Sequence, residues 1–598
     1  MSSVSSRGKQ TAQAIKDAGG VMTHRQILFI IFGLMAGMFL SALDQTIVGT
    51  SMRTIADDLK GLDAQAWVTT AYLITSTIAT PIYGKLSDIF GRRPLFIIAI
   101  VIFLLGSITA GFATSMYQLA GFRALQGLGA GGLMALPLAI MGDILAPRER
   151  AKYQGYFLAV FGISSVAGPL IGGLLSGTDF ILGVTGWRWV FLINIPIGAI
   201  ALAIVLRFLH IPHTRHSVRI DWWGAATVVL ALVPLLLVAE QGREWGWGSA
   251  GAIACYVIGG LGIVAFIISE KLMGDDALIP LKLFKNATFR MATILGVLVG
   301  FGMFGAMMTL PLYLQLVNGA TPTESGFLML PMILGLMIAS IVSGQIIART
   351  GVYKWFPRVG TALMAIGFFW FTFATADKPV WYMMIGMFFV GLGLGQLMQT
   401  LTIASQNSVG PRDIGVATSS STFFRQIGGT LGVAILFSVL YTRIPLAIAA
   451  AFEDKTNLAN IGAAASDPDV VSDPANKGIL ELLQSAQGGD TSAVSDSLNG
   501  DSSFLNGADP RLSAPFLQGF NDSAVSIFWV ALGVVLIAFV LSWFLKTSPL
   551  RAKSALQENA DNEAAVQAQA AADAAGALVE PGGAAAETPS TTAPAKKS

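Results

Sequence analysis

GKLSDIFGRRP, from Gly84 to Pro94, is a charged turn set between two apolar runs, Ala66 to Tyr83 and Leu95 to Phe112, neither of which contains a charge. A hydrocarbon core about 30 Å thick takes roughly 20 helical residues, so the turn joins two membrane helices. Gly84 and Gly91 permit a tight, close-packed reversal. Lys85, Arg92 and Arg93 place it on the cytoplasmic side by the positive-inside rule. Asp88 is a lone carboxylate among these cations, able to accept from Arg92 or from the free N–H groups of a neighbouring helix start.

Composition agrees with that reading. Hydrophobic residues make up 54% of the chain and charged residues 12%, against roughly 25% charged in soluble domains. An integral membrane protein follows. The one cysteine, Cys255, lies in an apolar run, so neither a disulfide framework nor a cysteine metal site is available. His210, His213 and His216 cluster in a basic connector and no histidine pair is spaced i, i+4 in an apolar run, which argues against a zinc enzyme. The net charge of +2 says little, because what matters is where the charges fall. No nucleic-acid partner, metal or cofactor is expected.

Spanning-length runs begin near Ile27, Ala66, Leu95, Tyr117, Tyr153, Trp187, Trp222, Ala250, Met291, Phe327, Val359, Val380, Val416 and Ala524. The expected fold is all-α: two six-helix bundles plus two extra linker helices. With the N-terminus inside, alternate connectors carry cations such as Arg148 and Arg150, Arg215 and Arg219, and Lys354 and Arg358, while the opposite ones carry chiefly Arg53, Lys60, Arg243 and Lys378. Both termini are therefore expected in the cytoplasm. The chain divides into a tail (1–26), a first six-helix bundle (27–210), two added helices with linkers (211–275), and five helices of a second bundle (276–440). A long polar extracytoplasmic loop (441–522), a last span (523–546) and a disordered cytoplasmic tail (547–598) complete it. GQIIARTG, Gly344 to Gly351, keeps the glycines and a cation of the opening turn without its aspartate, an echo expected of two repeated halves.

The spacing G-x-x-x-D-x-x-G-R-R resembles the loop between the second and third spans of the major facilitator superfamily. That resemblance implies a latch between the two halves, made by Asp88 and Arg92 with Gly84, Gly91 and Arg93 around them. Three further stretches resemble the fourteen-span drug:proton antiporters of that superfamily. LDQTIV places Asp44 in the first span, either as a helix-end carboxylate or as a protonatable group facing a central cavity. FRALQGLGAGG places Arg123 and Gln126 in the fourth, a pair that the resemblance associates with proton transfer. GISSVAGPLIGG in the fifth span, with Gly168, Pro169, Gly172 and Gly173, is similar to the kink motif of exporters. WRWVFLINIPIG, from Trp187 to Gly198, adds to the family likeness, and its tryptophans suit a membrane interface.

Other features leave alternatives open. Arg425 is an intramembrane charge with either a functional or a structural role, and Asp143 is expected to join a cluster with Arg148 and Arg150. Glu240 and Glu324 suit interfaces better than coupling. Phe301, Met303, Phe304, Met307 and Met308 offer adaptable apolar groups for a substrate cavity, or face lipid and a neighbouring helix. The expected function is export of small amphipathic compounds in exchange for protons, by a monomer in the cell membrane and with no enzymatic step. Export of an endogenous lipid, siderophore or antibiotic is the nearest alternative, and a transporter-derived sensor is one of another class.

Overall fold

The computed structural model describes residues 24–60, 65–209, 219–487 and 508–551, with scattered positions between 557 and 569. The first bundle comprises α1 (His24–Asp58), α2 (Gln65–Phe90), α3 (Arg92–Gly111), α4 (Met116–Ile144), α5 (Pro147–Ser176) and α6 (Asn194–Phe208). The linker helices α7 (Trp222–Trp245) and α8 (Ala250–Met273) follow. The second bundle holds α9 (Ala287–Leu316), α10 (Leu330–Thr350), α11 (Trp355–Phe371), α12 (Val380–Asn407), α13 (Ile414–Glu453) and α14 (Pro510–Ser542). Among the described residues, twelve helical stretches are long and apolar enough to cross a membrane. The threonine-rich α2 and the 17-residue α11 pack among them and complete the fourteen.

The opening turn is tighter than a loop. Helix α2 runs on to Phe90 and α3 starts at Arg92, leaving Gly91 alone between them with φ of 97°, a conformation that favours glycine. The sixth span is broken instead. A two-stranded hairpin pairs Phe180–Ile181 with Val184–Thr185, a short helix covers Trp189–Leu192, and α6 begins only at Asn194. Trp187 is buried rather than interfacial, because its indole N–H donates to Asp58 Oδ2 at 2.8 Å and its ring meets Phe191 edge-on.

The polar stretch 441–522 is more helical than its composition implies. Helix α13 extends to Glu453 and α14 starts at Pro510, with helices Lys455–Ala465, Pro468–Ser472 and Lys477–Gln487 between them. Its aspartates cap helix starts: Asp454, Asp467, Asp473 and Asp509 each accept a backbone N–H of the following turn. Ala464, Val470 and Ile479 then bury with Leu512, Phe516 and Phe520 in the core of the second bundle. Most of the expected tail lies outside the described residues, as do residues 1–23.

The bundles meet along two seams, α2 against α13 and α5 against α10. Helix α7 covers the first seam, where Val228, Leu232 and Leu236 join Ile74, Ile78 and Phe423 in one apolar cluster. Close approach at both seams rests on small residues, the usual basis of helix association in lipid.

Candidate functional site

Asp44 sits inside the first bundle and is completely buried, as are Gln126, Asn194 and Ser107, with Arg123 at 1% exposure. The Arg123 guanidinium pairs with Asp44 Oδ2. It also donates to Gln126 Oε1 at 2.8 Å. Gln126 and Asn194 then donate their side-chain N–H groups to Asp44 Oδ1, at 2.8 and 2.7 Å. Ser107 accepts from Asn194 at 2.8 Å and donates to the Phe191 carbonyl at 2.9 Å. The Arg123 guanidinium lies 4.1 Å from the centre of the Tyr72 ring, whose hydroxyl is 2.9 Å from Ser41 Oγ.

This geometry follows from where the helices begin. Arg123 and Gln126 are i, i+3 neighbours on one face of α4, two turns in from Met116, which puts the cluster about 10 Å from the helix end. The break before α6 brings Asn194, at its first position, onto the carboxylate. One carboxylate thus balances one arginine in a sealed place. A proton on Asp44 cancels that balance and leaves Arg123 as an uncompensated buried cation, a state that costs several kcal/mol unless the surroundings rearrange (about 3–5). Arg123 Nε and Asn194 Oδ1 already lack hydrogen-bond partners, so the network is not saturated.

The exporter-like GPLIGG segment lies beside this cluster. Helix α5 stays continuous through Pro169. A Cβ added at Gly168 would lie 2.1 Å from Thr46 Oγ1, and one at Gly172 would lie 2.5 Å from Thr50 Oγ1, so α5 rests on α1 just past Asp44. Gly173 has open space around it and does not share that role.

The second charged cluster lies at the α2–α3 end of the molecule. Arg92 pairs with Asp88 at 2.6 Å and with Asp143 at 2.6 Å, and also donates to Ser87. Asp88 turns its other oxygen to the second bundle, accepting the Val416 N–H at 3.0 Å in the first turn of α13. That is an N-terminal cap supplied across the seam. Gly84 makes the approach possible, since an added Cβ would lie 1.9 Å from Ser419 Oγ. Two expectations are corrected here. Asp143 pairs with Arg92 rather than with Arg148 or Arg150, because Arg150 turns to Gln406 of α12 and to the Gly142 and Leu145 carbonyls. Arg93 stays within the first bundle, donating to the Leu206 carbonyl at the end of α6 at 2.7 Å.

The echo motif occupies the related seam with no ion pair among the described residues, although the Arg148 guanidinium of α5 lies against Gly351. Gly344 of α10 faces the Ala151 carbonyl of α5, to which Gln399 of α12 donates at 2.7 Å, and Ser340 bonds Gln399 at 2.9 Å. Lys282, ahead of α9, bridges Asp275 at 3.1 Å and Asp413 at 3.3 Å. Desolvation lowers its ammonium pKa, but the two carboxylates outweigh that and raise it above the ordinary lysine value.

The apolar residues of α9 fall within about 160° of one another at 100° per residue, but their surroundings differ. Phe301 and Met303 are buried in the second-bundle core, Phe304 and Met307 pack partly against it, and Met308 is 41% exposed. Arg425 is buried in α13, and among the described residues no side chain bonds to or pairs with it. Glu324 is exposed and forms a capping box with Thr321, while the side chain of Glu240 lies outside the described residues. Sequence reasoning missed Asn194, Ser107 and Tyr72 as partners of the Asp44 cluster. The available signal was one amide in LINIPIG and two hydroxyls, Ser107 and Thr109, in the otherwise apolar LLGSITAG.

A family model described as Major Facilitator Superfamily matches residues 34–433. The chain is 39% identical over 427 residues to a "Multidrug transporter protein MdtP" of Bacillus subtilis, covering 71% of this chain and 77% of that one. It is 38% identical over 327 residues to a "Tetracycline resistance determinant" of Streptomyces rimosus, covering 54% of this chain and 91% of that one. Among solved structures, the proton:xylose symporter XylE aligns with a TM-score of 0.54 at 14% identity, covering 90% of this chain and 99% of that one, a likeness of fold alone. The chain belongs to the major facilitator superfamily, a family of membrane transporters.

Proposed function

We propose that this major facilitator chain exports amphipathic compounds across the cell membrane in exchange for protons, by alternating access of its two bundles. The observation that carries the reading is the closed Asp44–Arg123–Gln126–Asn194 network, one carboxylate held against one arginine away from the seams. Relatives with drug-related names, a multidrug transporter and a tetracycline resistance determinant, support the substrate class. In this reading the latch end and both termini face the cytoplasm, and one chain acts alone because it holds both bundles. No cofactor is needed beyond the proton itself.

A proton from outside neutralises Asp44 and frees Arg123 from its partner. The strain of an unbalanced cation favours the rearrangement that opens the latch end, where the proton leaves and substrate enters. Substrate binding and loss of the proton then restore the pair and the latch. The energetics suffice: one proton moved down 100 mV supplies about 2.3 kcal/mol, against about 1.4 kcal/mol per tenfold substrate gradient.

The test is transport of a lipophilic cationic dye by the full chain in proteoliposomes with an imposed pH gradient. Native protein is expected to accumulate dye only with the gradient, and Asp44→Asn to show none at equal protein content. Equal gradient-driven transport by both would remove Asp44 as the coupling group.

A further inference from the structure

At the latch end, away from both seams, a cavity of about 430 Å³ opens between the start of α11 and the segment following α14. Its walls include Lys354, Arg358, Lys546 and Thr547 with the rings of Trp543 and Phe544, three cations and no carboxylate. Arg358 is the built part of it. Only 9% exposed, it lies with its guanidinium 4.9 Å from the Trp355 ring centre and 4.4 Å from that of Trp543. Its one hydrogen bond is a long 3.4 Å contact to the Trp543 carbonyl, and its buried Nε has no partner. Among the described residues no carboxylate pairs with Arg358, Lys354 or Lys546. Three like charges this close repel one another, and an anion between them offsets that cost.

The surroundings identify which kind of anion. Trp543, Val540, Ile537, Leu536 and Trp529 form an exposed apolar stripe along α14 that ends at the cavity. A second stripe on α11, through Trp355, Val359 and Ile366, ends there too, and the two helices pack against each other. Aromatic rings at such helix ends suit the headgroup level of a bilayer. We propose that the cavity holds the phosphodiester headgroup of an anionic phospholipid, whose acyl chains lie along the outward stripes of α11 and α14. The site is independent of the Asp44 cluster. Its floor belongs to a strap, Trp543 to Arg551, that returns across the second bundle: Thr288 donates to the Lys546 carbonyl, and Asn407 donates to Ser548 Oγ at 3.1 Å and accepts from the Arg551 N–H at 3.1 Å. Asn407 adjoins Gln406, the partner of Arg150 across the seam, so a seated lipid steadies a segment next to the closed latch end.

The test is lipid retention by the purified full chain, read by native mass spectrometry during titration with phosphatidylglycerol. Phosphatidylcholine serves as the neutral control and inorganic phosphate as the free anion. Phosphatidylglycerol is expected to bind at least tenfold more tightly than phosphatidylcholine. The double variant Lys354→Gln with Lys546→Gln is expected to weaken it roughly 30-fold, from about 1 kcal/mol per lysine. Both lysines are exposed, so the melting temperature in lipid-free detergent is expected to stay unchanged. Equal retention of the two lipids, undiminished binding by the variant, or displacement by inorganic phosphate at comparable concentration would each overturn the lipid assignment.

Discussion

Asp44 and Asp88 each face an arginine, but their remaining partners lie in different places. Asp44 finds Arg123, Gln126 and Asn194 within the first bundle. Asp88 shares Arg92 with Asp143 and gives its other oxygen to Val416 of the second. The first cluster can change its charge with no movement between bundles, whereas the second loses its Asp88–Val416 bond whenever the bundles part. The α5–α10 seam sharpens the contrast, since Gly344 and Gln399 hold it by close packing and amide bonds, with no ion pair between α5 and α10 among the described residues. In the proposed mechanism the first element senses and the second reports.

The largest expected effect breaks the sensing side. Arg123→Ala leaves Asp44 buried and unpaired, and is expected to destabilise the chain by about 3–5 kcal/mol. Adding Asp44→Asn to it should recover much of that loss, because the pair is removed together. Thermal melts of both variants in detergent read the difference, and additive losses would mean that the two residues do not interact.

A smaller loss is expected at the reporting side. Arg92→Gln leaves Asp88 and Asp143 with no cation between them and costs about 2 kcal/mol of charged hydrogen bonding. The loss should fall on the closed arrangement of the latch end rather than on the fold. Faster alkylation of a cysteine placed at Ser419, which faces Gly84 across the seam, with an unchanged melting temperature, is the expected pattern. A lowered melting temperature without faster labelling would make the cluster merely structural.

Asn194→Ala is the finest adjustment. It removes one donor to charged Asp44, about 1.5 kcal/mol, and so favours the protonated form. The pH midpoint of gradient-driven dye transport is then expected to move upward by about 1 pH unit at 1.36 kcal/mol per unit. A midpoint that stays in place would separate Asn194 from coupling.

Much of this arrangement was legible in the sequence. Charge-free runs and basic connectors marked the helices, and Asp88 between two glycines anticipated both its bond to Arg92 and its cap on a neighbouring helix start. Asp44 and Arg123 stood out because intramembrane charges are rare, yet nothing in either run said that they touch. Asn194 was hidden by its ordinariness, as an amide acquires a role only when a helix break points it at a charge. Composition named the adaptable side chains of α9 but left open whether they line a cavity or face lipid and a neighbouring helix; Phe301 and Met303 are buried in the second-bundle core, with Phe304 and Met307 packed against it. In the stretch 441–522 a polar composition conceals that the aspartates serve as caps and that the few apolar residues are spaced to reach one core.

In the proposed mechanism the charge of Asp44 controls the distance between the bundles at the latch end. Spin labels at Phe90→Cys and Val352→Cys, both exposed and on opposite bundles, in a Cys255→Ser background, report that distance by pulsed electron paramagnetic resonance. A short distance is expected for native protein at neutral pH, a longer one on acidification, and the longer one at both pH values for Asp44→Asn. A short distance in the variant at every pH, matching the native protein, would contradict it.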